Sequence, residues 1–191
     1  VSEMLEKKIL STIVEISNNF NNLKKISSKI QDAIILSAKA LKNNKKILIF
    51  GNGGSAADAQ HLAAELVGKY LKHRKALPAI ALTTDTSIIT SISNDYSYNN
   101  IFTRQLEALS SKGDVIIAIT TSGKSANVLK ALKYAKKNNL KSIVLTGEKG
   151  AHLKSQCNVC LIAPHYRPDR IQEMHIAIGQ IICEHLENKL C

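Results

Sequence analysis

The chain has 191 residues, of which 45% are hydrophobic and 4% aromatic, so we expect one domain with a core of aliphatic side chains. The formal net charge of +11 would suit a nucleic-acid partner, but the basic residues are scattered and no aromatic RNA-binding motif or cysteine–histidine finger accompanies them, so we expect none. No apolar run is long enough to span a membrane and no signal-peptide core is present, which favours a cytoplasmic protein without a membrane partner.

The first 42 residues carry apolar side chains at spacings of three and four, which predicts two helices separated by the asparagine cluster at residues 18–22. Short apolar runs then alternate with helical segments, and we interpret KILIF, PAIAL, DVIIAI, KSIVLTG and NVCLIAP as strands. Such alternation is typical of right-handed crossovers. The sequence therefore predicts an α/β fold, a doubly wound parallel five-stranded sheet with flanking helices and two N-terminal helices.

No linker or low-complexity segment divides the chain. We expect residues 1–191 to form a single domain, with an N-terminal helical extension over residues 1–43 and an α/β core over residues 44–191. Because a doubly wound core does not need the two N-terminal helices, a neighbouring subunit should cover their apolar stripes.

Residues 51–55, GNGGS, follow the first strand at its carboxyl end, where open α/β sheets bind ligands. We call them the glycine loop. The helix that starts near Ser55 directs free backbone N–H groups at this loop, which suits an anion or a sugar. With Ala56 the string also fits a permissive dinucleotide fingerprint, but the nearest acid after the next strand, Asp85, lies well beyond the roughly 20-residue spacing of a ribose-binding carboxylate.

Residues 120–125, TTSGKS, follow another strand and lead into a helix; we call them the hydroxyl loop. The N-terminus of that helix can hold a phosphate. A Walker A loop is excluded, because that motif needs a glycine where this chain has Ala118. The alternative is a simple helix cap, in which Ser122 or Ser125 satisfies backbone donors, and the local sequence leaves both interpretations open.

His61 and Glu65 lie four residues apart and therefore on one helix face, where they can share a metal or a proton. A surface polar pair is the alternative, but the flanking alanines and leucines are typical of a buried helix, in which polar groups need partners. In the closing helix, polar side chains gather near the start of an apolar segment: Asp169, Gln172, Glu173, His175 and Gln180. Asp169 by itself fits the N-cap of that helix.

Cys157 and Cys160 have C-x-x-C spacing, and the other cysteines are Cys183 and Cys191. A single C-x-x-C without a second pair is weak evidence for a metal or redox site. Because the pair lies in the strand-like segment QCNVCLIA, we interpret both cysteines as small buried hydrophobes.

Four strings, GNGGSAADAQHLAAELVGKY, NDY, TTSGKSANV and PDRIQEMHI, resemble in order and spacing the phosphoheptose isomerases of the SIS-domain group, and the resemblance covers nearly the whole chain. It implies conversion of sedoheptulose 7-phosphate to glycero-manno-heptose 7-phosphate, the first step toward the heptoses of bacterial lipopolysaccharide or capsule. It also implies a homotetramer that often carries zinc.

The resemblance also implies roles for residues. Sugar-binding positions are Asn52, Gly53, Gly54, Ser55, Asn94 and Asp95, and phosphate-binding positions are Thr120, Thr121, Ser122 and Ser125. Zinc or catalytic positions are His61, Glu65 and Gln172, with Glu65 and Gln172 also expected to contact substrate, and Asp169 is a polar residue of the same site. Glu65 is the expected base of an enediol mechanism.

Gln180 departs from the family, in which a histidine that transfers protons and binds zinc is common at this position. An amide can bind a metal through oxygen but cannot shuttle protons near neutral pH. The second proton would then come from metal-bound water, Asp169, His61 or His175, and zinc held by His61, Glu65, Gln172 and Gln180 would be weakly bound.

The alternative from another class is a non-catalytic SIS-domain protein that binds phosphosugars or resembles the DnaA-associating replication regulators, which share the loops and the RIQEMH string. Retention of both His61 and Glu65 favours the enzyme.

Overall fold

The computed structural model describes residues 2–191 and contains a five-stranded parallel sheet. The strands are β1 Ile47–Gly51, β2 Ala79–Ala81, β3 Val115–Thr120, β4 Lys141–Gly147 and β5 Val159–Ala163. Their order across the sheet is β2-β1-β3-β4-β5, so the winding reverses direction after β2, as in a doubly wound fold. The predicted fold class is confirmed, and each predicted strand is present.

Seven α-helices lie within the described residues: α1 Ser2–Asn22, α2 Ser27–Lys42, α3 Gly54–Val67, α4 Thr86–Asp95, α5 Ile101–Leu109, α6 Ala126–Lys137 and α7 Pro168–Leu190. Short 3₁₀ segments occupy Leu23–Ile26, Tyr98–Asn100 and Glu148–Ser155. Helix α5 was not predicted from the sequence. Its nine residues give little more than two turns of periodicity, and its N-cap residue, Asn100, makes no side-chain capping bond.

The strands are apolar along nearly their whole length because helices cover both faces of the sheet. On one face, α2, α3 and α7 pack around buried side chains such as Ile49 and Leu62. On the other face, α5 and α6 pack around Phe50 and Phe102, whose ring centroids lie 4.8 Å apart. The two layers hold the carboxyl ends of the strands in place.

The two N-terminal helices differ in how they are covered. Ile30, Ala33 and Leu41 of α2 are buried in the chain's own core, whereas Ile35 of the same helix is 48% exposed. In α1, by contrast, six apolar side chains are more than half exposed: Met4, Leu5, Ile9, Leu10, Ile13 and Val14. Over residues 2–191, none of the helices combines the length and the apolar character that crossing a bilayer requires.

A buried carboxylate near the end of α7 fixes the segment after α3. Glu187 accepts backbone N–H bonds from Tyr70, Leu71 and Lys72 at 3.0, 2.8 and 2.7 Å, and Arg74 Nε donates to it at 2.9 Å. The side chains of Arg74 and Glu187 are 3% and 2% exposed. This ion pair therefore ties α7 to the end of the helix that carries His61 and Glu65.

Candidate active site

The glycine loop and the hydroxyl loop lie side by side at the carboxyl edge of the sheet. Strands β1 and β3 are neighbours, with Gly51 opposite Ile119, and each loop follows one of them. The chain leaves β1 toward β2 on one side, while β3 lies on the other side. This is the switch point at which doubly wound sheets bind ligands.

Two glycines give the glycine loop its shape. Gly53 has φ of 57°, a left-handed conformation that side chains other than glycine rarely adopt. A Cβ on Gly54 would stand 2.7 Å from Nε2 of Gln172, so α7 approaches the start of α3 closely. The structure thus brings Gln172, an expected zinc or substrate position, to the glycine loop.

Asn52 joins the two loops through its side chain. Its amide exchanges hydrogen bonds with that of Asn127 in the first turn of α6, at 2.9 Å in each direction, and its Oδ1 accepts from the Tyr98 hydroxyl at 3.0 Å. Neither Asn127 nor Tyr98 was among the site residues predicted from the sequence. Asn127 could have been predicted, since it lies in the string TTSGKSANV. Tyr98 could not, because it comes to the site only through the path that the chain takes after α4.

The hydroxyl loop keeps donors free. Ser125 is the N-cap residue of α6, yet its hydroxyl makes no capping bond and instead lies 3.3 Å from Thr120 Oγ1. Ser122 Oγ accepts a weak 3.2 Å bond from the Lys124 N–H. The helix-cap interpretation therefore does not hold for Ser125, and the start of α6 remains open to an anion.

On α3, His61 Nε2 lies 3.1 Å from Glu65 Oε1, and the two side chains are 48% and 22% exposed. Asp58, one turn before His61, was not predicted from the sequence. Its Oδ2 is buried without a hydrogen-bond partner. Burial raises the pKa of Asp58 to about 6, although nearby His61 offsets part of this effect.

Two residues of α7 differ from what the sequence predicted. Asp169 is not the N-cap, because the cap position belongs to Arg167 and Asp169 lies in the first turn. Its carboxylate is exposed and pairs with Arg167 Nη2 at 2.7 Å, and this hydrogen bond lowers the pKa of Asp169. His175 is fully buried, and burial lowers its pKa to about 4. Neither environment suits a proton donor at neutral pH.

Asn94 and Asp95 lie at the end of α4, where the Asn94 amide donates to Asp95 at 2.9 Å, and both are exposed. Within residues 2–191, neither side chain makes a hydrogen bond to either loop.

Gln180 is half-buried on α7. A Cβ on the preceding residue, Gly179, would lie 2.6 Å from Leu62, which is the neighbour of His61 on α3. Helix α7 therefore packs against the His61 turn of α3 through Gly179, the residue before Gln180.

Comparison with known proteins decides the family. The SIS domain model matches residues 13–147. The phosphoheptose isomerase of Nitratiruptor sp. is 50% identical to this chain, over 95% of this chain and 95% of that protein. The phosphoheptose isomerase of Aquifex aeolicus is 49% identical, over 98% of each chain. The structure of the phosphoheptose isomerase from Neisseria gonorrhoeae superposes with a TM-score of 0.90 at 39% identity, over 96% of this chain and 99% of that one. The chain belongs to the phosphoheptose isomerase family.

The fold alone extends further than this family. The NanR protein of Vibrio vulnificus, solved with ManNAc-6P, superposes with a TM-score of 0.65 at 17% identity, over 95% of this chain and 62% of that one. At that identity the likeness concerns the SIS fold and nothing finer. The phosphoheptose isomerase relatives, at about half identity over nearly full length, carry the family assignment.

The residues present fit zinc poorly. His61 and Glu65 are ligand types that zinc prefers, but catalytic zinc sites use three such protein ligands. Within residues 2–191, no group of three or more His, Cys, Asp or Glu side chains could hold a metal. Gln172 and Gln180 could add only neutral amide oxygens.

Proposed function

We propose that this protein is a ketose–aldose isomerase that converts sedoheptulose 7-phosphate to D-glycero-D-manno-heptose 7-phosphate. The observation that carries the proposal is the His61–Glu65 pair on the helix that begins at the glycine loop, in a chain whose near-full-length relatives are phosphoheptose isomerases. The reaction would supply heptose precursors for lipopolysaccharide or capsule, and we place it in the cytoplasm, as expected from the sequence.

The isomerisation moves one proton from C1 to C2 of the sugar through an enediol. Glu65 is the base that takes the C1 proton. Its side chain is 22% exposed and its Oε1 lies 3.1 Å from His61 Nε2, which fixes its orientation. His61 stabilises the negative charge of Glu65 before the transfer and is exposed enough to contact substrate oxygens.

The phosphate of the substrate would lie against the hydroxyl loop. We expect Ser122→Ala and Ser125→Ala each to raise KM for sedoheptulose 7-phosphate by about tenfold, because a hydrogen bond to a charged group contributes about 1.5 to 3 kcal/mol. Steady-state kinetics measure the effect, with the exposed Ser28 on α2 changed to alanine as control. Unchanged KM in both loop variants would mean that the phosphate of the substrate does not bind at this loop.

Zinc at this site is a separate proposal, in which the metal binds weakly through His61, Glu65, Gln172 and Gln180. We expect Gln180→His to raise zinc affinity, because imidazole is a better zinc ligand than an amide oxygen. Calorimetric titration measures it. The control, Gln31→His, adds an imidazole to an exposed position of α2. Equal affinity in wild type and Gln180→His would mean that Gln180 does not face the site.

A homo-oligomer, expected to be a tetramer, is proposed from α1. Its exposed apolar side chains, including Ile9 and Ile13 at 51% and 55%, recur along one helix and lose contact with water when another subunit covers them. Light scattering should give about four times the chain mass of 20.9 kDa, and Ile9→Lys with Ile13→Lys should lower it. A wild-type monomer at micromolar concentration would contradict the proposal.

A further inference from the structure

The orientation of the Asn52 side-chain amide is fixed by the protein's own hydrogen bonds. A backbone N–H can only donate, so the atom of Asn127 that lies 2.9 Å from the backbone nitrogen of Val128 must be its carbonyl oxygen. The same oxygen lies 2.9 Å from one atom of the Asn52 amide, which must therefore be the nitrogen, Nδ2. The Asn127 nitrogen in turn donates to Asn52 Oδ1 at 2.9 Å. The backbone of α6 thus sets the direction of this reciprocal amide pair.

These contacts leave Asn52 with one free hydrogen-bonding group. Its Oδ1 has two lone pairs and accepts from Asn127 at 2.9 Å and from the Tyr98 hydroxyl at 3.0 Å. Its Nδ2 carries two hydrogens, one of which bonds to Asn127. In the part of the chain that the structure describes, residues 2–191, the other hydrogen has no acceptor. Asn52 can therefore donate one hydrogen bond to a ligand but can accept none.

The free N–H lies at the hydroxyl-loop end of the site. Asn127 is 3% exposed and lies in the first turn of α6, the helix that begins directly after the hydroxyl loop. Glu65, by contrast, lies on α3 about three turns, or roughly 16 Å, beyond the first residue of that helix, Gly54. The donor is therefore close to the position proposed for the phosphate and remote from the proposed base.

The free N–H of Asn52 suits an acceptor that does not donate. A sugar hydroxyl both donates and accepts, whereas the oxygens of a phosphate dianion only accept, and hydrogen bonds to charged groups are the stronger ones. We propose that Asn127 and Tyr98 are positioning residues that hold Asn52 as a donor to phosphate. Asn52, expected as a sugar-binding position, is then a ligand of the phosphate. For sedoheptulose 7-phosphate this role rests on the proposed function, and for inorganic phosphate it does not.

Binding of inorganic phosphate tests the donor without reference to turnover. We expect Asn52→Ala to raise Kd for inorganic phosphate about tenfold in calorimetric titration, because one hydrogen bond to a charged group is lost. Asn127→Ala should raise Kd by a similar factor, since the Asn52 amide is then free to rotate. Tyr98→Phe leaves the amide pair in place and should raise Kd about threefold. Tyr134→Phe, which removes a hydroxyl near the other end of α6, is the control and should bind like wild type.

The Asn52→Ala background separates positioning from a general structural role. In that background Asn127→Ala and Tyr98→Phe should each leave Kd within about twofold, because both act through Asn52. Circular dichroism checks the fold, and if Asn127→Ala does not fold, Tyr98→Phe on its 53% exposed side chain gives the same comparison. A further loss of affinity from Tyr98→Phe in this background would overturn the proposal. Wild-type affinity in Asn52→Ala, or no measurable phosphate binding by the wild type, would also overturn it.

Steady-state kinetics connect the donor to the proposed reaction. Asn52→Ala, Asn127→Ala and Tyr98→Phe should raise KM for sedoheptulose 7-phosphate by the same factors as Kd for inorganic phosphate. They should leave kcat within about threefold, because the phosphate takes no part in the proton transfer. A fall in kcat with unchanged KM would overturn the role in phosphate binding. Absence of turnover in the wild type, together with the expected pattern of Kd, would reject the proposed function and support the positioning of Asn52.

Discussion

Glu65→Gln is expected to lower kcat by roughly 10²- to 10⁴-fold, because the substitution replaces the proposed base with an amide of the same shape that cannot accept the C1 proton. The side chain remains beside His61, so the fold and substrate binding should be retained. Single-turnover kinetics separate the chemical step from binding, and circular dichroism checks the fold.

Glu107→Gln is the matched control, since Glu107 is an exposed acid of α5 that pairs with Arg104 at the surface. Its activity should equal that of the wild type. If Glu65→Gln retained activity within about threefold of wild type, Glu65 could not be the base, whose contribution should be at least about 10².

Glu187→Gln is expected to lower the free energy of unfolding by about 3 to 5 kcal/mol, because it leaves the buried guanidinium of Arg74 without its counter-charge. The neutral amide is also a weaker acceptor than the Glu187 carboxylate for the three backbone N–H groups that bond to it. Urea denaturation measures the change. Glu3→Gln removes an exposed pair with Lys7 and should change stability by no more than about 0.5 kcal/mol, so equal effects of the two substitutions would contradict the account.

The same carboxylate gives a pH dependence with a definite sign. Burial alone would raise the pKa of Glu187, but the N–H groups of residues 70–72 and Arg74 outweigh burial and lower it from 4.5 to about 2. Its stabilising contribution is therefore complete above pH 4.5 and is lost as the pH falls toward 2. The difference in stability between wild type and Glu187→Gln should shrink over this range.

Most of the fold could be predicted because each element has a strong local signal. The strands KILIF, DVIIAI and KSIVLTG are unbroken aliphatic runs, as strands buried on both faces must be, and the helices between them show regular periodicity. Helix α5 was missed because nine residues give too short a pattern. The covering of α2 could not be foreseen, since periodicity identifies an apolar face and not the surface that covers it.

The parts of the site that consist of residues close together in the sequence could be predicted. The two loops and the His61–Glu65 pair are local motifs, and parallel strands bring such loops to one edge. Contacts that depend on packing were not predictable. Asp58 becomes notable only because burial raises its pKa, and Tyr98 only because its hydroxyl reaches Asn52 across the sheet edge.

Turnover of sedoheptulose 7-phosphate followed by NMR in deuterated water tests the central claim most directly. The account predicts that signals of the heptose 7-phosphate aldose appear, with deuterium at C2 where the transferred proton has exchanged with solvent, and that Glu65→Gln slows the appearance of both by roughly 10²- to 10⁴-fold. Binding of sedoheptulose 7-phosphate without any aldose signal, in both metal-free and zinc-supplemented protein, would contradict it and favour a non-catalytic phosphosugar-binding protein.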